Sequence, residues 1–337
     1  MRRAVGSTGW HEAGGAGGPR RRRGGRTRTA VVTGALVLGL AAAGTACTDK
    51  GGGTTTPTTP APTTSGAGSS PSVLTGLPGA AGKVLAVKID NVGQARPQTG
   101  LNNADIVYGI EVEGGLSRLM AVFDSNHLPA TVGPVRSARQ TDIQLLAQYD
   151  HPALAFSGAQ SRLLPVLKAD KNLVTVTGTN AFFRKSDRPA PHNEYLRTKG
   201  VADRAGVAKD IGLRFSGRIP AGGTAATTAK ATMPSARFTF TWNGKQYRVA
   251  MDGTGSPWTA DNVIIQHVTV KESDFHSRTG FVPFSQTVGQ GTATILRDGH
   301  SYAARWSRPA DSAGTTYSVG GKTLPLHPGR TWIILEP

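Results

Sequence analysis

From Thr48 to Ser72 the chain runs through Gly, Thr, Pro and Ser with hardly an apolar side chain. Such a stretch cannot bury enough surface to offset the entropy of ordering it. It therefore divides the 337 residues into a leader, residues 1–47, and a foldable part, residues 73–337. The foldable part is long enough for one elongated domain or two small ones. Residues 48–72 themselves are expected to be a disordered tether.

The leader says where the foldable part goes. Arg2, Arg3, Arg20 to Arg23, Arg26 and Arg28 make a basic start, and residues 30–46 follow as an uncharged run of small and apolar residues. A basic region, a short apolar region and small residues before a cleavage point describe a secretory signal. The run is shorter than the ~20 residues that a spanning helix needs. It ends in Gly44-Thr45-Ala46-Cys47, which has the form of a lipobox with Gly44 where Leu is usual. Residues 1–47 are thus expected to be a signal peptide. Cys47 is expected to carry lipid and to anchor the chain to the outer face of the cell membrane, outside the cytoplasm. A plain signal peptide cleaved near Ala46 is the alternative, and the long basic start fits either the general secretory or the twin-arginine route. Cys47 is the one cysteine, so an internal disulfide cannot form. Lipidation would also remove a free thiol that export otherwise exposes to oxidation.

The net charge of +17 falls to +10 when residues 1–47, with eight arginines and Glu12, are set aside. In the cytosol a basic surface points to nucleic acid. Outside it no nucleic acid is expected. The polyanions there are lipid head groups and wall polymers, unless the charge serves solubility alone.

The periodicity predicts an α+β fold, with a mixed α/β half over residues 73–220 and a mainly antiparallel β half over 232–337. The low-complexity run AGGTAATTAKA, residues 221–231, is the predicted linker. Residues 83–90 read as a buried strand. Residues 105–113 and 116–124 read as strands joined by a two-residue turn, Gly114-Gly115. That register sets Glu111 opposite Arg118. It puts Ile106, Tyr108, Ile110, Val112, Leu119, Ala121 and Phe123 on one core face. Helices are predicted over 138–149, capped by Ser137 with Gln140, over 162–168 and over 194–205. Strands are predicted over 152–156 and 173–177. In the second half, an Asn243-Gly244 turn predicts a hairpin with Phe240 opposite Tyr247 and Phe238 opposite Val249. Strands over 262–270 and 331–335, and a hairpin around Asp298-Gly299, complete that half.

Five segments together resemble the YerB family of bacterial lipoproteins, a two-region family of unknown function. They are AVKIDNVGQARPQTGL (86–101), ADIVYGIEVEGGLSRLMAVF (104–123), VGPVRSAR (132–139), RPAPHN (188–193) and HPGRTWIILEP (327–337). The resemblance covers about residues 83–337. Gly109 departs from it, standing where the family tends to have a larger or acidic residue. The resemblance implies a lipoprotein at the cell surface and supplies no reaction and no catalytic residue.

Within those segments the polar residues that fall at strand ends and turns, where sites are usually carried, are the candidate ligand-binding set: Asp90, Asn91, Glu111, Arg118, Arg136, Arg139, His192 and Asn193. Arg136 and Arg139 flank a predicted helix start, where positive charge opposes the helix dipole. Their presence there calls for an anion: a ligand phosphate or carboxylate, or Glu111 or Glu113 of the hairpin. Two prolines in Arg188-Pro-Ala-Pro-His-Asn stiffen the loop that carries His192 and Asn193. The expected function is a binding module for an anionic wall polymer, a lipid head group or a wall-synthesis protein. A cell-envelope hydrolase acting on a glycan or phosphodiester is the alternative, with Asp90, Glu111 and Glu113 as carboxylates and His192 as acid/base. Ser137 or Ser157 with His192 gives a weaker nucleophilic set, since neither serine sits in a nucleophile elbow. No metal-ligand spacing is present and no cofactor is implied.

Overall fold

The computed structural model describes residues 70–276 and 280–337. The predicted signal peptide, Cys47 and residues 48–69 of the predicted tether lie outside them. Strands dominate, and the two α-helices among the described residues have seven residues each.

β1 (Val84–Asp90) is buried at every position, as a near-continuous apolar run in the middle of a sheet should be. β2 (Ile106–Glu111) and β3 (Ser117–Asp124) form a hairpin, and β3 also pairs with β1. Then come β4 (Thr131–Val132), α1 (Gln140–Leu146), β5 (Ala153–Ala155), α2 (Leu163–Ala169), β6 (Val174–Val176), β7 (Phe182–Arg184) and β8 (Glu194–Arg197). The remaining strands begin with β9 (Thr224–Ala225), β10 (Thr228–Met233), β11 (Ala236–Trp242), β12 (Tyr247–Met251) and β13 (Thr254–Ala260). They continue as β14 (Asn262–His267), β15 (Val270–Glu272), β16 (Pro283–Ser285) and β17 (Gly289–Arg297), and end with β18 (His300–Arg308), β19 (Thr316–Val319), β20 (Lys322–Thr323) and β21 (Thr331–Glu336).

One 12-stranded sheet organises the molecule, in the order β20-β19-β18-β17-β14-β21-β2-β3-β1-β5-β6, with β9 on β18. β21 lies between β14 and β2 and runs parallel to both. Strands from before and after residues 221–231 therefore share one ladder, and that stretch itself carries β9 and the start of β10. Both faces of the sheet are covered. One face packs Val87, Val107, Leu119, Phe123 and Ile334 against Phe238, Phe240 and Val249 of the four-stranded sheet β10–β13. The other packs Ala86, Tyr108, Met120 and Ile333 against Leu145 and Leu146 of α1 and Leu163 and Leu167 of α2.

Covering both faces changes the reading of the first hairpin. Its turn has three residues, Glu113-Gly114-Gly115, with both glycines at positive φ. The register puts Ile110 opposite Arg118 and Glu111 opposite Ser117, one residue away from the expected pairing. A one-residue slip moves a strand's side chains to the other face. Ile106, Tyr108 and Ile110 consequently share a face with Arg118, Met120 and Val122, while Leu119, Ala121 and Phe123 face the other core. Alternation could not fix the register here, because both faces are apolar. The second-half hairpin differs by two residues, with Phe240 opposite Val249 and Trp242 opposite Tyr247. Asn243 lengthens that turn by accepting the Lys245 and Gln246 N–H groups on its Oδ1, both at 2.9 Å. A shift of two leaves every side chain on its expected face.

Two helix expectations are corrected. Residues 194–205 begin as strand β8, paired to β4 and β7. Tyr195 and Leu196 are adjacent and both buried, which suits a strand covered on both sides. α1 starts at Gln140 with Arg139 as its N-cap and is continued by the 3-10 turn Ala147–Tyr149. The carboxylate that closes the cap is Asp142, which accepts the Arg139 N–H at 2.7 Å. Gln140 instead uses its side chain on Ser273 and Asp274.

Candidate functional site

The site lies where β1 ends and the segment 132–139 runs beside it. Asp90 N–H donates to the Pro134 carbonyl at 2.9 Å, Arg136 N–H to Lys88 O at 2.8 Å, and Ser157 N–H to Arg136 O at 3.1 Å. These bonds extend the sheet past β1 and fix the backbone that carries Arg136. Asp90 and Arg118 are direct cross-strand partners, so both side chains stand on the α1 face of the sheet.

Asp90 is the hub. It is buried, and its Oδ2 lies 2.7 Å from His192 Nδ1 and 3.1 Å from Arg136 Nε. The histidine contact is a hydrogen bond. The Arg136 contact is close enough for charge attraction but is not aligned as a hydrogen bond, and the buried Arg136 Nε has no hydrogen-bond partner among the described residues. Arg118 donates through Nη1 to the Ser137 carbonyl at 3.0 Å. Burial, with Arg139 and Arg136 near by, brings its pKa down to about 10.

Two closed ion pairs border this hub. Arg139 holds Glu113 bidentately, Nε to Oε1 at 2.6 Å and Nη2 to Oε2 at 2.8 Å. Burial pushes the Glu113 carboxyl up, but the Arg139 fork outweighs burial and holds it below the usual carboxylate range. Lys88 Nζ lies 2.7 Å from Asp142 Oδ1, with both side chains fully buried. Burial lowers the Lys88 pKa against the pull of Asp142. Lys88 escaped the sequence reading, although a lysine two residues before Asp90 inside an apolar strand was the available signal.

Asp90, Arg118, Arg136 and His192 are therefore brought together, with Arg139 beside them but engaged by Glu113. The other three expected residues lie elsewhere. Glu111 shares its face with Ser117, on the opposite side of the sheet from Arg118, and burial alone raises its pKa. Asn91 is held by Ser117 at 2.8 Å, Gln98 at 2.8 Å and Arg96 at 3.3 Å. Asn193 accepts from Arg184 and donates to the Lys185 carbonyl, which stitches the β7–β8 hairpin. The carboxylate set of Asp90, Glu111 and Glu113 around His192 does not assemble. Glu111 is on the wrong face and Glu113 is spent on Arg139.

Sheet and hub together define a two-region module in which the last strand joins both regions into one sheet and the first region gathers arginines at a strand end. Two models of one family match it, "Protein of unknown function (DUF3048) N-terminal domain" over residues 74–211 and its C-terminal counterpart over residues 226–333. The chain belongs to this family. It is 27% identical over 279 residues to the protein described as "Putative lipoprotein YerB" of Bacillus subtilis (strain 168), covering 75% of this chain and 81% of the relative. The crystal structure of YerB from Bacillus subtilis is similar with a TM-score of 0.66 at 23% identity, covering 79% of this chain and 96% of that one. At that identity the likeness speaks for the fold.

Proposed function

We propose that the chain is an extracytoplasmic lipoprotein, tethered to the membrane through Cys47, that binds an anionic group of the cell envelope at Arg118 and Arg136. One observation carries the binding half. These two guanidiniums, with ten N–H donors between them, donate one hydrogen bond to the described residues, from Arg118 to Ser137 O. A half-buried guanidinium without acceptors is costly, and an anion supplies them. Arg118 and Arg136 face one carboxylate, Asp90, so the guanidiniums of the hub exceed its carboxylate by one charge. That excess suits a singly charged phosphodiester or carboxylate. The tethering half rests on the leader, on the position of Cys47 and on the description of the relative as a lipoprotein.

The test of binding uses poly(glycerol phosphate) as the probe, titrated into the full chain. Arg118→Gln lowers its affinity at least about tenfold, the ~1.5–3 kcal/mol of one charge-assisted hydrogen bond, and leaves Tm within a few degrees. Unchanged affinity in Arg118→Gln would remove the hub from the binding reading. For tethering, Cys47→Ser leaves the membrane fraction and loses labelling by a fatty-acid analogue. Persistent labelling of Cys47→Ser would overturn it.

The hydrolase reading retains one observation. The 2.7 Å bond from His192 Nδ1 to Asp90 orients the imidazole, as an acid/base requires. Release of glycerol phosphate from the same polymer, abolished in His192→Gln, would favour it over simple binding.

A further inference from the structure

At the end of β1 and β3 opposite the hub lies an open cleft of about 830 Å³, lined by Lys83, His127, Arg197, Lys199 and Asp203. Residues 197–209 carry four cations, Arg197, Lys199, Arg204 and Lys209, against one carboxylate, Asp203. Lys83 spends its ammonium on a backbone carbonyl, Asp203 O. Of the other acids at this end, Asp150 is exposed beside Gly206 and Asp210 pairs with Arg214 at 2.9 Å, while two more are engaged within the fold. Asp105 accepts from His127 at 3.0 Å and from Asp124 N–H at 2.6 Å, and Asp124 accepts from Gly82 and Asn126 N–H, both at 2.8 Å. Both are buried. Cations thus outnumber carboxylates on this surface, Lys83, Arg197, Lys199, Arg204 and Lys209 against Asp150 and Asp203.

Two exposed apolar side chains flank it. Val207, 60% exposed, pairs with Lys83 in an antiparallel bridge. Directly paired residues project to the same side, so Val207 and Lys83 stand together. Leu77, 45% exposed, lines a second cleft that shares Asn126 and His127 with the first. Ser72, at the start of the described chain, lines that second cleft too. The residues that join Cys47 to the fold therefore enter at this end.

We infer that this end is a membrane-docking face, with Lys83, Arg197, Lys199 and Arg204 on anionic phospholipid head groups and Leu77 and Val207 against the acyl boundary. The inference rests on the membrane-tethering half of the proposed function and is independent of the hub. Charge complementarity and the entry point of the chain select the occupant. Interfacial cations gain from the negative surface potential of a leaflet, and exposed apolar side chains gain from shallow burial. The tether does not dictate this contact. Residues 48–69 number 22 and span up to ~75 Å when fully extended, so the face must supply its own affinity. Docking here would turn the hub, at the other end of the strands, away from the bilayer.

Hydrogen–deuterium exchange on the full chain tests it, with phosphatidylglycerol-containing vesicles against phosphatidylcholine vesicles. Slower exchange in residues 76–83 and 197–209, confined to the anionic vesicles and lost at high salt, is the expected result. The triple change Lys83→Glu, Lys199→Glu and Arg204→Glu abolishes this protection, at about fivefold or more in vesicle affinity per charge. The same reversal at Lys230 and Lys322, elsewhere on the surface, leaves it intact. Equal protection on neutral vesicles would mean anchoring without docking and would overturn the inference. So would protection reproduced by inorganic phosphate alone, which would mark a small-anion site. Arg118→Gln retains the protection; its loss there would also overturn the inference. Failure of tethering is read separately, by fatty-acid labelling that persists in Cys47→Ser.

Discussion

Glu113 and Arg139 show how one residue can be bound to the fold and still border a site. The fork between them is partly open to solvent, with Glu113 36% and Arg139 12% exposed. The Glu113 carboxyl titrates below its ordinary 4.5 in the folded chain. A depressed acid binds fewer protons folded than unfolded, so its contribution is present above about pH 4.5 and is lost as pH falls through the lower folded value. Screening keeps it below about 1 kcal/mol. Glu113→Gln should therefore lower stability at neutral pH by less than about 1 kcal/mol and flatten the acid limb of a stability-against-pH curve, the two proteins converging at low pH. An undiminished acid limb in Glu113→Gln would assign that limb to other carboxylates. Lys88 is the contrasting case. It is fully buried on Asp142, so Lys88→Met strands a carboxylate in the core at a cost of about 3–5 kcal/mol, read directly as a loss in denaturant midpoint. Gly109 follows the same logic of contact. A Cβ there would lie 2.7 Å from Ile334 Cδ1 and 3.2 Å from Phe238 Cζ, so Ile334 and Phe238 close on bare backbone at this strand position.

At the scale of elements, what was legible in the sequence follows from parity. The Asp298-Gly299 turn has both residues at positive φ and joins β17 to β18 with Arg297 opposite His300, the two-residue geometry that Asp-Gly favours. The Asn243 turn is longer than expected, yet the even shift kept Phe238, Phe240, Tyr247 and Val249 in the core. The first hairpin slipped by one and exchanged its faces, because apolar residues at successive positions carry no parity signal. That slip decided the site. It placed Arg118 with Asp90 on the α1 face and sent Glu111 to the other, a separation that local sequence does not reveal. The convergence of Asp90, Arg136 and His192 depends on backbone pairing between residues 89 and 135, which is long-range. The two turn glycines make a test of the observed loop. A Cβ at Gly114 meets nothing within 4 Å, whereas one at Gly115 lies 2.5 Å from Pro234 Cβ and 3.0 Å from Ser235 N. Both have positive φ, so Gly114→Ala should cost about 1 kcal/mol and Gly115→Ala about 1–3 kcal/mol more through the clash. Equal costs in chemical denaturation would argue against the packing of this turn on residues 234–235.

The whole molecule turns on β21. In sequence, residues 73–220 and 232–337 invite description as two units, and the two family models divide the chain in the same region. In space, β21 is hydrogen-bonded on one side to β14 and on the other to β2, with Ile264 and Tyr108 both paired to Ile333. Its apolar side chains also serve both cores, Trp332 and Ile334 on one face, Ile333 and Leu335 on the other. Burying four such side chains stabilises the fold by roughly 6–12 kcal/mol at about 1.5–3 kcal/mol each. That equals most or all of the ~5–15 kcal/mol net stability of a domain. Deleting residues 331–337 should therefore leave neither region folded, since it strips the central ladder and exposes the edges of β14 and β2 together. The intact chain should in turn unfold in one transition, with tryptophan fluorescence and far-ultraviolet circular dichroism coinciding. The fluorescence combines Trp332 at the junction with Trp242, Trp258 and Trp306 of the second region, and the circular dichroism reports the strands of both regions together. Two separated transitions, or a truncated chain in which residues 73–220 keep their native circular dichroism, would show that the regions are stable units merely touching at β21. Hydrogen exchange then distinguishes a weak joint from a shared core. The amides of β21 should exchange only through global unfolding and rank with those of β1, because they lie between two strands and beneath both cores.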